Sequence, residues 1–284
     1  MKKTEQLRLL LASKETLIAP CAFDALSAKA IAHTGFKVAG TTGFGIHGTM
    51  LGVPDNGLLA FNEMVAACGK MADAVDIPIL ADAEGGYGNA INTMRTVREF
   101  EKAGLAGIFI EDQKSPPNCP FIKPAEVISM NEMVGKIKAA VAARSDPNFV
   151  IVARTDAPFD EAIERAHAYM EAGADMVKPI PKSRRELELW PRKIAAPLHV
   201  GYMTGKAIND GMTCWDIGNL GYKIVTFPLS MLFMCTKAML SYLAEVKAKG
   251  SDTALMDEML SFDEYQQFIG VEKYIELERT YGEK

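Results

Sequence analysis

The sequence predicts an α/β protein built as a (β/α)₈ barrel, and three observations lead to this fold. Short apolar runs recur eight times, helical stretches lie between them, and no linker or low-complexity segment divides the 284 residues. Strands that alternate with helices pair in parallel, and eight such units in roughly 230 residues match a closed barrel. A doubly wound open sheet is the alternative. That fold usually carries a G-x-G-x-x-G motif after its first strand, where this chain reads CAFDALSA.

The eight predicted strands are short runs of apolar, largely β-branched residues. They are LIAPCAFD (17–24), KVAGTTG (37–43), IPILADAE (77–84), GIFIEDQ (107–113), FVIVARTD (149–156), MVKPI (176–180), PLHVGY (197–202) and KIVTFP (223–228). Active sites of such barrels lie at the carboxyl ends of the strands. The residues that end these runs are therefore the first candidates for chemistry.

The helical stretches between the strands carry two helix signals. Three of them, ALSAKAIAHTG, MRTVREFEKAG and EAIERAHAYMEAG, end on a glycine suited to a C-cap. In the last of these, Ile163, Ala166, Tyr169 and Met170 fall on one face. We therefore expect amphipathic helices that cover the outside of the barrel.

Two or three further helices are predicted after the eighth strand. One helix is enough to close a barrel, so the surplus must pack elsewhere, and a subunit interface is one such place. The Met-rich first of these helices, LSMLFMCTKAMLSYLAEVKAKG, is equally compatible with a core position. We expect one (β/α)₈ barrel domain over residues 1–284, with 229–284 as its C-terminal helical segment.

Composition excludes several classes of protein. The chain is 49% hydrophobic and 24% charged, with a net charge of -5 and no Lys/Arg run, so we expect neither a nucleic-acid nor an anionic-membrane partner. No stretch approaches the ~18 apolar residues of a membrane span. The five cysteines form no C-x-x-C pair, which favours a reducing, cytoplasmic location. The four histidines form no H-x-x-x-H pair, so a histidine metal site has no sequence support.

Carboxylates cluster at the ends of neighbouring predicted strands. Asp82 and Glu84 end the third strand, and two residues apart on a strand share a face. Carboxylates that converge on one barrel mouth repel each other unless a divalent cation lies between them. Oxygen ligands suit Mg²⁺ or Mn²⁺, so we predict such an ion held by Asp82, with Glu84, Glu111 and Asp55 acting directly or through water. Solvated acids or helix caps are the alternative.

Two further groups near the same strand ends are candidates for substrate binding. Thr42, Gly43 and Phe44 offer backbone N–H groups in a glycine-rich turn, which can cradle a carboxylate. Arg154 ends the fifth strand and can form a bidentate pair with a substrate carboxylate. An ordinary tight turn, and an ion pair of Arg154 with Asp156 or the third-strand aspartate, are the alternatives.

The chain resembles the phosphoenolpyruvate mutase/isocitrate lyase superfamily over nearly its whole length. The matching segments are PCAFDALSAKA, TTGFG, LGVPDNGLL, ADAEGGYGNAINTMRTVREFEKAGLAGIFIEDQ, NEMVGKIKAAVAAR, DPNFVIVARTDA, ERAHAYMEAGADM and GYKIVTFPLS. The resemblance implies a (β/α)₈ barrel, Mg²⁺ and an enolate-like intermediate. It also implies a homotetramer in which neighbouring subunits exchange a C-terminal helix.

The resemblance also assigns a role to one cysteine. In the lyase branch, a gating loop after the fourth strand carries a Lys-(Lys/Arg)-Cys-Gly-His motif, and Cys119 falls at the position of its cysteine. The resemblance implies that this thiol protonates the departing carbanion. A thiol with its ordinary pKa of ~8.5 is mostly protonated at neutral pH, so it can donate a proton there. A bystander surface cysteine is the alternative.

The chain departs from the family pattern at the distal end of the site. The loop reads Pro-Asn-Cys-Pro-Phe over 117–121, without the cationic neighbours and the histidine. Ile180 and Gly201 stand where the tricarboxylate lyases place a glutamate and an asparagine, and the third strand has Glu84 in place of an aspartate. These losses indicate a smaller or more apolar acid than isocitrate. Lys178 either supplies positive charge to the mouth or lies outside it.

The sequence therefore predicts a Mg²⁺-dependent carbon–carbon lyase acting on a small 2-hydroxy di- or polycarboxylate, such as a methyl-substituted malate or a methylisocitrate-like acid. Hydrolysis or decarboxylation of oxaloacetate is an alternative. So is phosphonopyruvate-type chemistry, because the phosphonate branch carries an asparagine near this loop position and Asn118 lies one residue from it. A former enzyme that binds an oxo acid as a sensor or scaffold is the alternative from another class.

Overall fold

The computed structural model of this chain describes residues 1–282 and confirms the predicted barrel. Eight parallel strands close in chain order. They are β1 Leu17–Ala22, β2 Ala39–Thr41, β3 Ile79–Asp82, β4 Gly107–Glu111, β5 Val150–Thr155, β6 Met176–Pro179, β7 Leu198–Gly201 and β8 Tyr222–Phe227. Pairing of Leu17 with Ile224 joins the first strand to the last, so the alternative of an open sheet is wrong.

Helices follow the strands as predicted. Those up to the eighth strand are α1 Lys3–Ala12, α2 Ala25–His33, α3 Gly43–Met50, α4 Phe61–Asp73, α5 Ala90–Lys102, α6 Met130–Ala143, α7 Phe159–Glu171, α8 Arg184–Lys193 and α9 Cys214–Leu220. Polar N-caps start several of them. For example, Asp24 accepts the N–H of Ser27, which satisfies one of the free amides of the first turn.

The core has two layers. Side chains on one face of each strand, such as Ile108 and Ile151, are buried with the helices. Side chains on the other face, among them Phe109 and Val152, fill the barrel interior, and Leu7 of α1 packs with them. Burying a side chain of this size contributes about 1.5–3 kcal/mol. These packed layers fix the strand ends that carry the polar residues.

The chain divides into two compact units, Met1–Leu232 and 233–284. The last helices are α10 Ser230–Lys249, α11 Phe262–Ile269 and α12 Val271–Tyr281, and they include the two or three helices predicted after the eighth strand. Whether the chain behaves as one domain with 229–284 as an appended segment stays a prediction. Across residues 1–282, no helix combines the length and apolarity that crossing a membrane requires.

Candidate active site

A cavity of about 870 Å³, including its open mouth, lies at the carboxyl ends of the strands. The residues predicted from the sequence to bind metal or substrate, or to act in catalysis, line it with the exception of Gly43; they are Thr42, Phe44, Asp55, Asp82, Glu84, Glu111, Cys119 and Arg154. Gly43 lies directly behind two of the acids. A Cβ atom at Gly43 would lie 2.9 Å from Glu84 Oε1 and 3.0 Å from Asp82 Oδ2, so glycine is required for the acids to approach α3.

Asp82 ends β3, and its carboxylate is held by backbone amides. The N–H of Gly43 donates to Oδ2 at 3.2 Å, and the N–H of Glu84 donates to Oδ1 at 3.1 Å. The Asp82 N–H itself donates to Thr41 Oγ1 at 2.8 Å. The carboxylate therefore keeps one orientation without help from a ligand.

The glycine-rich turn at 42–44 forms the start of α3. Thr42 is the N-cap, and its hydroxyl accepts the N–H of Gly45. The Thr42 N–H donates to the Ala22 carbonyl, and the Gly43 N–H is taken by Asp82. These two amides are therefore engaged within the protein, and their role in cradling a substrate carboxylate stays a prediction.

Glu84 reaches the cavity by a different route from the one the sequence indicated. The strand β3 ends at Asp82, and Glu84 lies in the following turn with a φ of 49°, so strand alternation does not align the two acids. Its Oε1 is buried and has no hydrogen-bond partner among residues 1–282. Burial, with repulsion from Asp82, Glu111 and Asp55, raises the pKa of Glu84 well above its usual value. Such a carboxylate favours a nearby cation.

Asp55 lies beside His47, a buried residue of α3. The N–H of Leu59 donates to His47 Nε2 at 3.3 Å, which leaves the ring proton on Nδ1. Nδ1 lies 2.8 Å from the Gly43 carbonyl and 3.4 Å from Asp55 Oδ1. Both ring nitrogens are thus engaged. One possible metal-ligand atom from each of His47, Asp55 and Glu84 lies within 4.8 Å of the other two. Since both nitrogens of His47 are engaged, the carboxylate oxygens are the atoms available to bind a metal ion.

Glu111, Arg154 and Asp156 form a buried ion-pair network at the ends of β4 and β5. Arg154 donates from Nε and Nη2 to the two oxygens of Asp156, at 2.9 and 3.1 Å. Its Nη1 lies 2.8 Å from Glu111 Oε2. Burial raises the pKa of Glu111 to about 8, although Arg154 opposes the rise. Arg154 therefore forms the ion pair with Asp156 that was the alternative, while it also lines the cavity.

Asp112, the neighbour of Glu111, is buried on the other side of the strand. It accepts the N–H of Asp156 at 3.0 Å, the Tyr169 hydroxyl at 2.8 Å, and Arg165 Nη1 at 3.2 Å. It does not line the cavity, and its partners tie β4 to β5 and α7. Its place is structural.

The segment after β4, residues 113–127, is the loop that the family resemblance identifies as a gating loop. Gln113 and Val127 bridge antiparallel at its base, and Gln113 Oε1 accepts the N–H of Asn118 at 3.0 Å. The loop tip, residues 117–121, lines the cavity and brings the half-buried Cys119 to it. Burial raises the pKa of the Cys119 thiol. The thiol therefore stays protonated at neutral pH.

The remaining lining is mostly apolar. We call Ile180, Pro181, Met203, Pro228 and Leu229 the apolar wall, and the loop adds Phe121 to the lining. Gly201 also lines the cavity and offers no side chain there. The two positions where the tricarboxylate lyases carry a glutamate and an asparagine thus face the cavity without polar groups.

Lys178 lies inside the mouth, which resolves the question that the sequence left open. It lines the cavity, is 8% exposed, and its Nζ lies 3.7 Å from the centre of the Phe109 ring. Burial, together with the nearby Arg154, lowers the pKa of Lys178 to about 8.

Sequence reasoning missed His47 and Gln113. The contacts of His47 reach a residue twelve positions away, and no local pattern signals such a contact. The sequence predicted Gln113 to be the last residue of the fourth strand. In the structure it lies at the base of the loop, where it bridges Val127.

Comparison with known proteins gives a consistent result. The family model described as phosphoenolpyruvate phosphomutase matches residues 7–247. The chain is 40% identical to 2,3-dimethylmalate lyase of Eubacterium barkeri, over 99% of both chains. It is 37% identical to 2-methylisocitrate lyase of Aeropyrum pernix, over 94% of this chain and 87% of the relative.

A solved structure of phosphonopyruvate hydrolase in complex with oxalate and Mg²⁺ has a TM-score of 0.89 with this chain. The two are 28% identical, and the match covers all of both chains. The lyase relatives confirm the prediction of an enzyme of the carbon–carbon lyase type. By its motifs, its closed barrel and these full-length matches, the chain belongs to the phosphoenolpyruvate mutase/isocitrate lyase superfamily.

Proposed function

We propose that this enzyme is a Mg²⁺-dependent lyase that cleaves a methyl-substituted malate into a 2-oxo acid and a small carboxylic acid. One observation carries the proposal: the acid cluster, the Cys119 thiol and an apolar wall line a single cavity. The acid cluster comprises Asp55, Asp82, Glu84 and Glu111. The name of the relative from Eubacterium barkeri, 2,3-dimethylmalate lyase, supports a substrate of this class.

The residues of the acid cluster fit a divalent cation. They offer carboxylate oxygens only, and one of these, Glu84 Oε1, is buried without a hydrogen-bond partner among residues 1–282. Mg²⁺ prefers oxygen ligands and keeps several waters, which suits a small set of acids at an open mouth. Asp82 would bind the ion directly, with Glu84, Glu111 and Asp55 acting directly or through water. Bound there, Mg²⁺ supplies Lewis-acid polarisation of the substrate oxygen.

The proposed reaction breaks the bond between C2 and C3 of the 2-hydroxy acid. The hydroxyl proton leaves, the oxygen electrons form the C2 carbonyl, and the C2–C3 electron pair passes to C3. The thiol of Cys119 then donates its proton to C3, and the proton released from the hydroxyl restores the donor by way of solvent. Burial keeps the thiol protonated for this step.

The arginine network supports the oxo-acid end of the substrate. Asp156 accepts hydrogen bonds from Nε and Nη2, on one edge of the Arg154 guanidinium, and Glu111 contacts Nη1, so the guanidinium is held still beside the cavity. Preorganised charge of this kind stabilises negative charge that develops during a reaction. The Thr42–Phe44 turn lies next to Asp82 and is proposed to face the substrate carboxylate.

The apolar wall favours methyl groups over further carboxylates. Ile180 and Met203 would pack on an alkyl substituent, and neither can pair with an anion. A hydrophobic pocket discriminates by about 10- to 200-fold per methyl group. Methylisocitrate carries one more carboxylate than this lining can satisfy.

A panel of acids tests this function directly. We expect release of a 2-oxo acid from 2,3-dimethylmalate in the presence of Mg²⁺, with little release from isocitrate or methylisocitrate. Loss of activity with a chelator and its return with Mg²⁺ or Mn²⁺ would support the metal. If no acid in the panel is cleaved while oxalate and Mg²⁺ still bind, the protein is an oxo-acid binder and the proposal is wrong.

Hydrolysis of oxaloacetate or of a phosphonopyruvate-type acid is the second candidate. Asn118 lines the cavity beside Cys119, and the similar hydrolase structure holds oxalate and Mg²⁺. In the same panel, release of oxalate and acetate or of phosphate would identify this chemistry in place of the lyase reaction.

We further propose a cytoplasmic homotetramer that exchanges C-terminal helices between subunits. None of the residues in α10, α11 and α12 is buried, and apolar side chains such as Met234, Leu240 and Leu243 are exposed. Exposed apolar surface of this extent marks an interaction site. Light scattering of the full chain should give four times the monomer mass of 30.9 kDa.

A further inference from the structure

Lys178 is a charged side chain that lines the cavity and has no part in the cleavage proposed above. Its amine is buried at the cavity lining, above the face of Phe109. Within residues 1–282 it forms no ion pair and no hydrogen bond, whereas Arg154 is matched by two acids. Burying an unpaired charge is costly, so the arrangement favours an anionic ligand at this position.

The lining of the cavity limits what that anion can be. Lys178 and Arg154 are the cationic side chains among the described lining residues. The guanidinium of Arg154 already serves Glu111 and Asp156. The gating loop contributes Pro117, Asn118, Cys119, Pro120 and Phe121, none of which carries positive charge. A substrate with a second carboxylate therefore finds one uncommitted cation, the amine of Lys178.

We propose that Lys178 binds the second carboxylate of the substrate, the one next to the carbon that gains electrons during cleavage. This inference rests on the proposed cleavage of an acid with two carboxylates. When the C2–C3 bond breaks, the electron pair spreads onto that carboxylate, and an adjacent cation stabilises the charge. The chain lacks the cationic loop residues of the lyase branch. Lys178, which lies on β6, would supply the positive charge in their place.

The electrostatic surroundings of Lys178 give a test that needs no mutation. The groups that act on its amine lie on or next to β1, β3, β5 and β7: Cys21, Asp82, Arg154, Asp156 and His199. Burial raises the pKa of Cys21 to about 12 and lowers that of His199 far below its usual value, so neither titrates near pH 8. The pKa of Lys178 is lowered to about 8, so its charge is present below pH 8 and is lost above it.

The experiment compares two 2-hydroxy acids that differ by one carboxylate, lactate and malate. Calorimetry on the full chain with saturating Mg²⁺ measures both affinities in the wild type and in Lys178→Met. We expect malate binding to weaken about 10- to 100-fold, as for a lost charged hydrogen bond, and lactate binding to change by less than about 3-fold. In the wild type, the malate-to-lactate affinity ratio should fall as the pH rises from 7 to 9.5. Glu111 also lines the cavity and has a pKa of about 8, so the contribution of Lys178 is the part of this fall that Lys178→Met abolishes.

A matched control is Lys223→Met. Lys223 lies on β8, and its amine binds the Ser13 and Glu15 carbonyls away from the cavity, so both affinities should stay unchanged. Equal weakening of lactate and malate in Lys178→Met, or of neither, would overturn the proposal. If Lys178→Met and Lys178→Gln fail to fold, a pH-independent ratio in the wild type overturns it. These binding results do not require turnover, so they stand apart from a failure of the proposed cleavage.

Discussion

The two sides of the cavity differ in how they are fixed. Two members of the acid cluster are held by polar contacts: the amides of Gly43 and Glu84 donate to Asp82, and Arg154 pairs with Glu111. The side chains of the apolar wall carry no hydrogen-bonding groups, so packing alone positions them. Reaction chemistry needs groups in fixed positions, whereas selection of an acid needs a lining that substitutions can reshape. In the proposed function, the acid cluster serves the reaction and the apolar wall selects the substrate.

The largest expected effect comes from the acid side. Asp82→Asn keeps the shape of the side chain but removes the charge that would hold a cation. Its amide nitrogen also cannot accept one of the two backbone N–H groups that the carboxylate accepts. We expect kcat/KM to fall about 10³-fold or more, since metal-dependent stabilisation is worth several kcal/mol. Calorimetric titration should show weaker Mg²⁺ binding. Asp216→Asn, at the exposed start of α9, should change neither quantity by more than about 2-fold.

The second-largest effect is expected from Cys119, on the loop that lines the cavity. Cys119→Ser replaces a thiol with a much weaker acid, so we expect kcat to fall about 10²- to 10⁴-fold while Mg²⁺ and oxalate binding stay unchanged. Cys214→Ser, outside the cavity lining, serves as the control. Turnover of Cys119→Ser at the wild-type rate would remove the thiol from the mechanism.

The apolar side is tested by Ile180→Glu, which puts a carboxylate into the apolar wall. We expect kcat/KM for the methyl-substituted malate to drop about 10- to 100-fold, because methyl packing is lost and like charges meet. Ile180→Leu should stay within about 3-fold. An unchanged preference between dimethylmalate and methylisocitrate in Ile180→Glu would contradict the role of this wall in selection.

The smallest expected effect is that of pH on the protonation step carried out by Cys119. Burial raises the pKa of Cys119 above its ordinary value, so the proton-donating form persists across neutral and mildly alkaline pH. Because Lys178 loses its charge above about pH 8, this test uses Lys178→Met. In that variant we expect the rate of the protonation step to stay flat from about pH 7 to 8.5 and to decline only above the ordinary thiol range. Single-turnover rates over this range would reveal an earlier loss if the thiol were exposed.

The sequence was sufficient for the barrel and for the members of the site, but not for their geometry. Periodicity and strand order placed Asp82, Glu111 and Arg154 at strand ends, as observed. Glu84 could not be placed correctly, because a left-handed backbone at a glutamate is uncommon and leaves no pattern. The direction of Lys178 depends on which face of β6 points inward, and a four-residue buried strand does not reveal this.

The base of the gating loop has a consequence for how this fold acquires new substrates. Gln113 and Val127 form a β-bridge. Lys114 donates its N–H to the Glu126 carbonyl, and Ile128 donates its N–H to the Asp112 carbonyl. These contacts join the two ends of the loop to each other. We therefore expect that residues 115–125 can be exchanged while β4 and α6 keep their positions. A transplanted tip bearing cationic residues would redirect this barrel toward larger, more highly charged acids, while the metal-binding acids stayed in place.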